Sequence, residues 1–299
     1  MSGSHLAGAV ALWAHRTPAV RAAILIGSRA RPEGDPVVRP DPSSDWDFQL
    51  VAPRPALFSS ARWVDDLGCG RPRAFVVRKT LWQGGLKIAV RFAEGDADFM
   101  ILPAGPLRRL HWLSAAGWHR RQGGTRRSLQ ALIHYVRPSW HFLKDAGWVE
   151  ALYRRAAADL PDPRLGDAAI RQLAAEFWCD YRWILRRLER GELRAAQRAL
   201  HLELAEVNFS LRHELRLRQG RASFEKGRRL EQVSSPDELA ALTVSAACEP
   251  CALRAAADQA AATCRQLLRE LLAPSEPPPR SEAPDFPCHS GAEKNNHKA

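Results

Sequence analysis

Asp45 and Asp47 stand one residue apart at the start of an apolar segment. In an extended strand, residues i and i+2 point to the same side, so both carboxylates fall on one face. A third, Asp98, sits inside Ala97-Asp-Phe-Met-Ile-Leu102, where a carboxylate is costly to bury without a partner. A neighbouring strand carrying Asp98 would add it to the pair. Three clustered carboxylates raise one another's pKa unless a cation sits between them, and a hard divalent ion such as Mg²⁺ takes oxygen ligands of this kind. Upstream, the apolar run Ala22–Ile26 ends in Gly27-Ser28-Arg29. A glycine–serine turn between a strand and a helix offers backbone N–H groups and a hydroxyl to a phosphate. A metal grip beside a phosphate grip is the equipment of phosphoryl or nucleotidyl transfer. Each part alone is ordinary, because most Gly-Ser pairs are turns and most Asp-x-Asp pairs are solvated strand ends. The ordered set carries the chemistry.

The elements that must position these groups show in the patterning. A helix over about 5–16 precedes the run 22–26, which has strand length. Alternation or short apolar runs predict further strands at 47–51, 74–77, 87–92 and 97–102, and 55–67 is helix-compatible. Strands and helices mixed in this way predict a mixed sheet with helices packed against it. After residue 103, Val, Ile and Thr thin out and Ala, Leu, Arg and Glu dominate. Leu173, Phe177, Tyr181, Ile184, Leu185 and Leu188 recur at three and four spacing, the mark of an amphipathic bundle helix. Ser235-Pro-Asp-Glu238 reads as a capping box with proline at the first helical position. The expected fold class is therefore α+β. A mixed sheet with flanking helices would span 1–103, a helical bundle 104–272, and a disordered Pro-rich tail 273–299.

Composition sets the outer bounds. The chain has 299 residues, with 44 basic against 33 acidic and a formal net charge of +11. That length supports a full core without metal or disulfide support. No run of 18 apolar residues exists, which argues against a spanning helix. Only six of the basic residues are lysine, so arginine supplies most of the positive charge, and the plain reading is a solvated Arg-rich surface; the alternative is an anionic partner. The six cysteines, Cys69, Cys179, Cys248, Cys251, Cys264 and Cys288, are unevenly spaced. Cys248-Glu-Pro-Cys251 has no second CxxC, so free thiols and a reducing cytoplasm are expected.

The order Gly-Ser, Asp-x-Asp, then a lone Asp in a later strand resembles the nucleotidyltransferase superfamily with the polymerase-β-like core. More narrowly, Ile24-Leu-Ile-Gly-Ser-Arg-Ala30, Ser44-Asp-Trp-Asp-Phe48 and Ala97-Asp-Phe-Met-Ile-Leu-Pro103 are similar to the aminoglycoside 6-adenylyltransferase family. Glu176-Phe-Trp178 and Arg190-Gly-Glu-Leu193 are similar in content and spacing as well. The resemblance runs discontinuously over about 20–272 and is poor over 120–165. It implies that Gly27, Ser28 and Arg29 hold the phosphates of ATP and that Asp45 and Asp47 bind magnesium. Asp98 would be a metal ligand, a general base, or both. The implied reaction is attack of a substrate hydroxyl on the α-phosphate, with pyrophosphate leaving. Two departures stand out: a longer loop after Ser28 filled by Pro32, Pro36, Pro40 and Pro42, and a blurred glycine–lysine segment at Arg221–Arg228. There Lys226 or Arg228 would meet phosphate, unless they form a solvated basic turn.

A polycationic acceptor needs carboxylates. Glu176 and Asp180 lie at i and i+4, hence on one helix face, and Glu203 with Glu206 offers a second pair. Trp178 would stack on a sugar, or else belong to the core. The competing reading of the acids is surface ion pairing, Asp180 with Arg187 for example. The expected partners are thus ATP, Mg²⁺ and an aminoglycoside-like small molecule, acting on a cytoplasmic monomer. Two alternatives remain open. One is the same chemistry on a nucleotide, an RNA end or a protein hydroxyl. The other is a basic module that binds nucleic acid without catalysis, which leaves Asp98 unused.

Overall fold

The computed structural model describes residues 4–31, 44–80, 84–93, 95–121, 123–137 and 139–272. The proline loop at 32–42, the tail 273–299 and Cys288 lie outside the described residues. Two compact units divide at Pro163/Arg164, later than the composition shift at 103/104 that suggested the boundary. Residues 104–163 belong with the sheet because their apolar faces cover it.

The first unit contains a six-stranded mixed sheet. Its strands are β1 (Ala22–Ile26), β2 (Trp46–Ala52), β3 (Ala74–Lys79), β4 (Leu86–Arg91), β5 (Asp96–Pro103) and β6 (His141–Lys144), in spatial order β3-β4-β5-β2-β1-β6. Only β2 and β5 pair in parallel; the other neighbours are antiparallel. The expected strands form, and β6 is an addition. Its short His-Phe-Leu-Lys run has no alternation strong enough to announce it, and pairing along β1 makes it a strand.

Side-chain alternation gives each face of the sheet its own core. Ala23, Leu25, Phe48, Leu50, Ala97, Phe99 and Ile101 point to one side, against Val10, Trp13 and Ala14 of helix α1 (Ser4–Arg16) and Trp63 of the single turn α2 (Arg62–Asp65). Phe48 and Phe99 stack at 5.1 Å, and Trp63 meets Phe99 edge-on at 5.0 Å. The helix-compatible stretch 55–67 is in fact a 3₁₀ turn over Pro55–Phe58 followed by α2. Ala22, Ile24, Val51 and Leu102 face the other side, under Leu107 of α3 (Ala104–Ala115), Leu132 of α4 (Gly124–Val136) and Tyr153 of α5 (Trp148–Asp159).

The second unit is helical: α6 (Asp167–Glu189), α7 (Leu193–Ala199), α8 (Ala205–Arg218), α9 (Leu230–Val233), α10 (Pro236–Leu242) and α11 (Pro250–Leu271). Phe177, Tyr181 and Ile184 of α6 pack with Leu211 and Leu215 of α8 and Leu253, Ala257 and Cys264 of α11. The 3.6-residue spacing of the sequence is the seam of this core. The fold class is α+β, as the patterning implied.

One charged cluster in this unit goes beyond its sequence signal. Ser235 caps α10: its hydroxyl accepts from the Glu238 N–H at 3.2 Å, and its own N–H donates to the Glu238 carboxylate at 3.2 Å. The same carboxylate also receives Arg216 and Arg221, each at 3.0 Å, and Arg212. Arg212 and Arg216 are buried. Burial pushes the Glu238 carboxyl up, but Arg212, the Ser235 N–H and Arg221 outweigh it and hold it at about 2. Removing Glu238 would strand two buried guanidinium groups, a larger penalty than the loss of one surface pair. Glu238→Gln is expected to destabilise the protein by about 3 kcal/mol in urea unfolding at neutral pH. Because the folded-state pKa is depressed, Glu238's contribution is complete above its ordinary value of 4.5. It fades as pH falls towards about 2, and the gap between wild type and variant should close over that interval.

Candidate functional site

Register builds the site. In the parallel β2–β5 pair Asp47 lies directly opposite Asp98, so both side chains leave the same face of the sheet. Asp45, two residues ahead of Asp47, brings its carboxylate to the same point. One oxygen from each of Asp45, Asp47 and Asp98 lies within 4.8 Å of the others. Among the described residues this is the only group of three or more potential metal ligands. The next residues on this face are Gln49 and Met100, then Val51 and Leu102. Polar groups therefore occupy the end of the face that α3–α5 leave open, and apolar groups the covered part.

Gly27 makes this crowding possible. Ile26 pairs with Asp47, and the chain turns at Gly27 with φ +75°. A Cβ there would collide with Asp47 Oδ2 and lie 3.1 Å from Asp47 Cβ and Cγ. Both the backbone conformation and the close approach require glycine. Ser28–Ala30 then forms a single 3₁₀ turn, so the strand–helix turn expected from sequence is a strand followed by one short turn. Arg29, expected to hold phosphate, donates from Nε and a terminal nitrogen to the Ser44 carbonyl at 3.0 and 2.6 Å and lies 4.5 Å over the Trp46 ring. It ties the entry of β2 to the end of β1, the segment that carries Asp45 and Asp47.

Asp98 has the partners that its apolar strand demanded, and the sequence reading missed them. Ala89 of β4 is its register partner, which sets Lys87 and Arg91, two residues to either side, on its face. Lys87 Nζ lies 2.8 Å from one carboxylate oxygen and an Arg91 terminal nitrogen 3.0 Å from the other. Burial alone would raise the Asp98 carboxyl, but the hydrogen bonds and charges of Lys87 and Arg91 hold it below the ordinary carboxylate range. Lys87 is pushed up by its hydrogen bond to Asp98. The alternation Lys87-Ile-Ala-Val-Arg91 carried the signal, and it needed the antiparallel register to be read.

A cavity of about 550 Å³ adjoins this end of the sheet. It is lined by Gln49, Met100 and Leu102 from the strands and by Arg127, Leu132 and Tyr135 from α4. Its volume suits a small ligand. Gln49 is fully buried and accepts a hydrogen bond from the Tyr153 hydroxyl, which fixes the cavity wall.

The other candidates belong to the helical unit. Glu176 is exposed and accepts from Gln172 at 2.9 Å; Asp180 is half-buried. The expected alternative for Asp180, an ion pair with Arg187, does not form: Arg187 binds Glu192 at 2.5 Å. Glu176, Asp180, Glu203 and Glu206 form no ion pair among the described residues. Trp178, partly buried, packs against Phe177 and Tyr181 at the edge of the core of its unit, with Arg265 5.0 Å over its ring. Lys226 and Arg228 are exposed and pair with no carboxylate among the described residues. Lys226 takes φ 58° within the turn Glu225–Gly227. Cys69, Cys179, Cys248 and Cys264 are free thiols.

No protein-family model matches the sequence, and no curated protein matches it. Among solved structures, the chain is similar to the crystal structure of an aminoglycoside 6-adenyltransferase from Bacillus subtilis. The identity is 11% and the TM-score 0.37, over 91% of this chain and 90% of that one. It is also similar to a nucleotidyltransferase-like protein from Exiguobacterium sibiricum 255-15, at 11% identity and TM-score 0.36, over 90% of this chain and 77% of that one. No helix among the described residues is long and apolar enough to cross a membrane.

The geometry makes a direct demand of Gly27. Gly27→Ala is expected to displace Asp47 and to cost about 2 kcal/mol, measured as a fall in thermal midpoint with weakened binding of Mn²⁺ by calorimetry. Gly105→Ala in α3, where an added Cβ meets nothing within 4 Å, should leave Mn²⁺ binding unchanged and hold or slightly raise the midpoint.

Proposed function

We propose that this protein is a metal-dependent nucleotidyltransferase that moves AMP from ATP to a hydroxyl of an aminoglycoside-like acceptor. The observation that carries the reading is the in-register placement of Asp47 against Asp98, with Asp45 alongside. The donor set fits a hard divalent cation: three carboxylates, all oxygen, at one solvent-facing end of a sheet. Asp45, Asp47 and Asp98 would hold Mg²⁺, which supplies positive charge to a triphosphate and its leaving pyrophosphate.

The remaining roles belong to the chain itself. Lys87 and Arg91 balance Asp98, and a carboxylate already holding two cations is better suited to binding charge than to taking a proton. Asp98 is therefore assigned as a ligand rather than a general base. Gly27 and Ser28 lie beside Asp47 and are the groups available to a phosphate there, while Arg29 keeps the β2 entry in place. The cavity bounded by Gln49, Met100 and Tyr135 gives one reactant a pocket next to the carboxylates. In the helical unit, the ion-pair-free acids Glu176 and Asp180 suit a polycationic acceptor. They remain without a cation in a chain with 44 basic residues. Lys226 and Arg228 are the further phosphate candidates.

Incubation with Mg-ATP and streptomycin, read as pyrophosphate release, tests the reading. Acceptor-dependent release is expected. Asp47→Asn and Asp98→Asn should each lower it by at least about a hundredfold with unchanged circular dichroism, because Asn keeps the volume and the half-exposed Lys87 and Arg91 can turn to water. Activity retained in either variant would overturn the metal-site assignment. Release with a different acceptor, and none with any aminoglycoside, would overturn the acceptor alone.

A further inference from the structure

Between Asp98 and Asp145 the sequence contains no acidic residue, yet it contains seven arginines and one lysine. The fold neutralises only part of this charge. Asp159 takes His119 at 2.6 Å and Arg120 at 3.3 Å, and Asp162 takes Arg137 at 2.8 Å. Arg108, Arg109, Arg121, Arg126 and Arg127 pair with no carboxylate among the described residues. His111 registers the remaining field: burial, then the charges of Arg155 and Arg108, push it below the ordinary histidine value.

Aromatic rings are interleaved with these cations. Trp112 at the end of α3 is 66% exposed, and Trp118, in the 3₁₀ turn that joins α3 to α4, is 54% exposed. Arg121 lies 5.7 Å from the Trp118 ring centroid, and Arg108 5.7 Å from that of Trp148. The turn packs on both α3 and α4, and the His119–Asp159 pair pins it to α5, so Trp118 stands on a fixed turn that follows the helix carrying Trp112.

We propose that this surface, from α3 to the start of α4, binds single-stranded nucleic acid. Phosphates meet Arg108, Arg109 and Arg121, and unpaired bases stack on Trp112 and Trp118. Unpaired cations give phosphate affinity, and exposed rings give stacking platforms that accept any base. A duplex hides its base faces and would leave the tryptophans idle. A lipid surface calls for aliphatic anchors, and no Leu, Ile, Val, Phe or Met of α3, the turn or α4 is exposed. This binding is separate from the proposed transfer reaction and does not depend on it.

The test uses the full chain and a fluorescent oligo(dT) or oligo(U) of about fifteen nucleotides, followed by anisotropy between about 50 and 200 mM salt. A duplex of equal length, heparin and phosphatidylserine vesicles are the comparison ligands. Trp112→Ala and Trp118→Ala should each weaken single-strand binding at least about fivefold, with Trp118→Tyr restoring it. Arg108→Ser with Arg109→Ser should flatten the salt dependence by about one unit of log–log slope. Pyrophosphate release with Mg-ATP and acceptor should be unchanged in all of these variants. The proposal is overturned if the tryptophan variants bind like the wild type. It is equally overturned if heparin or duplex binds as tightly as the single strand, meaning charge alone, or if vesicles are preferred.

Discussion

The parallel pairing of β2 with β5 forces Asp47 and Asp98 into one another's field, and much of the first unit follows from that. Two carboxylates in register, with a third adjacent, repel at close range unless positive charge is supplied. The sheet supplies it from β4, where the antiparallel register sets Lys87 and Arg91 on the same face. Space is supplied at Gly27, whose missing side chain leaves room for the Asp47 carboxylate. The two cations answer this electrostatic problem, and the glycine gives the Asp47 carboxylate its room. An apolar sheet of the same topology would not need Lys87 and Arg91.

The same face changes character along its length. Beyond the carboxylates come Gln49 and Met100 and then Val51 and Leu102, as the covering helices close in. Gln49 marks the transition, a fully buried amide held by the Tyr153 hydroxyl. Burying that amide is tolerable because it is hydrogen-bonded. The result is a face of the sheet that passes from a carboxylate cluster, through a hydrogen-bonded amide in the cavity wall, to an apolar core.

Much of this was legible in the sequence, and the losses have physical causes. Short apolar runs or period-two alternation marked the five longer strands; the run Ala22–Ile26 shows no alternation because both of its faces are buried. Period-3.6 spacing marked α6 for the matching reason. The three aspartates could be grouped because strand geometry ties i to i+2. The cation partners of Asp98 could not, since Lys87 and Arg91 become neighbours only through the register of a pairing that local sequence does not encode. Arg29, next to a Gly-Ser turn, suggested a phosphate contact; its hold on the Ser44 carbonyl and its stacking on Trp46 depend on a loop return that local sequence does not encode. The boundary at 163/164 was also hidden, because α3–α5 share their composition with the helical unit but pack on the sheet. Strand β6 is too short to carry a pattern and exists through its partner. In the second unit, Glu238 was legible as a helix cap and not as the counter-ion of three arginines, a role fixed by tertiary packing.

On the proposed function, the carboxylate trio is a cation site, and Lys87 and Arg91 must yield when a metal ion binds. A manganese-soaked crystal with anomalous scattering tests it most directly. A single strong peak, or a close pair, bound by Asp45, Asp47 and Asp98 is expected, with Lys87 Nζ drawn away from its 2.8 Å contact with Asp98. A crystal with manganese elsewhere, or none, and with Lys87 and Arg91 still clamped on Asp98, would contradict it. The trio would then be an ion-paired feature of the sheet and not a catalytic centre.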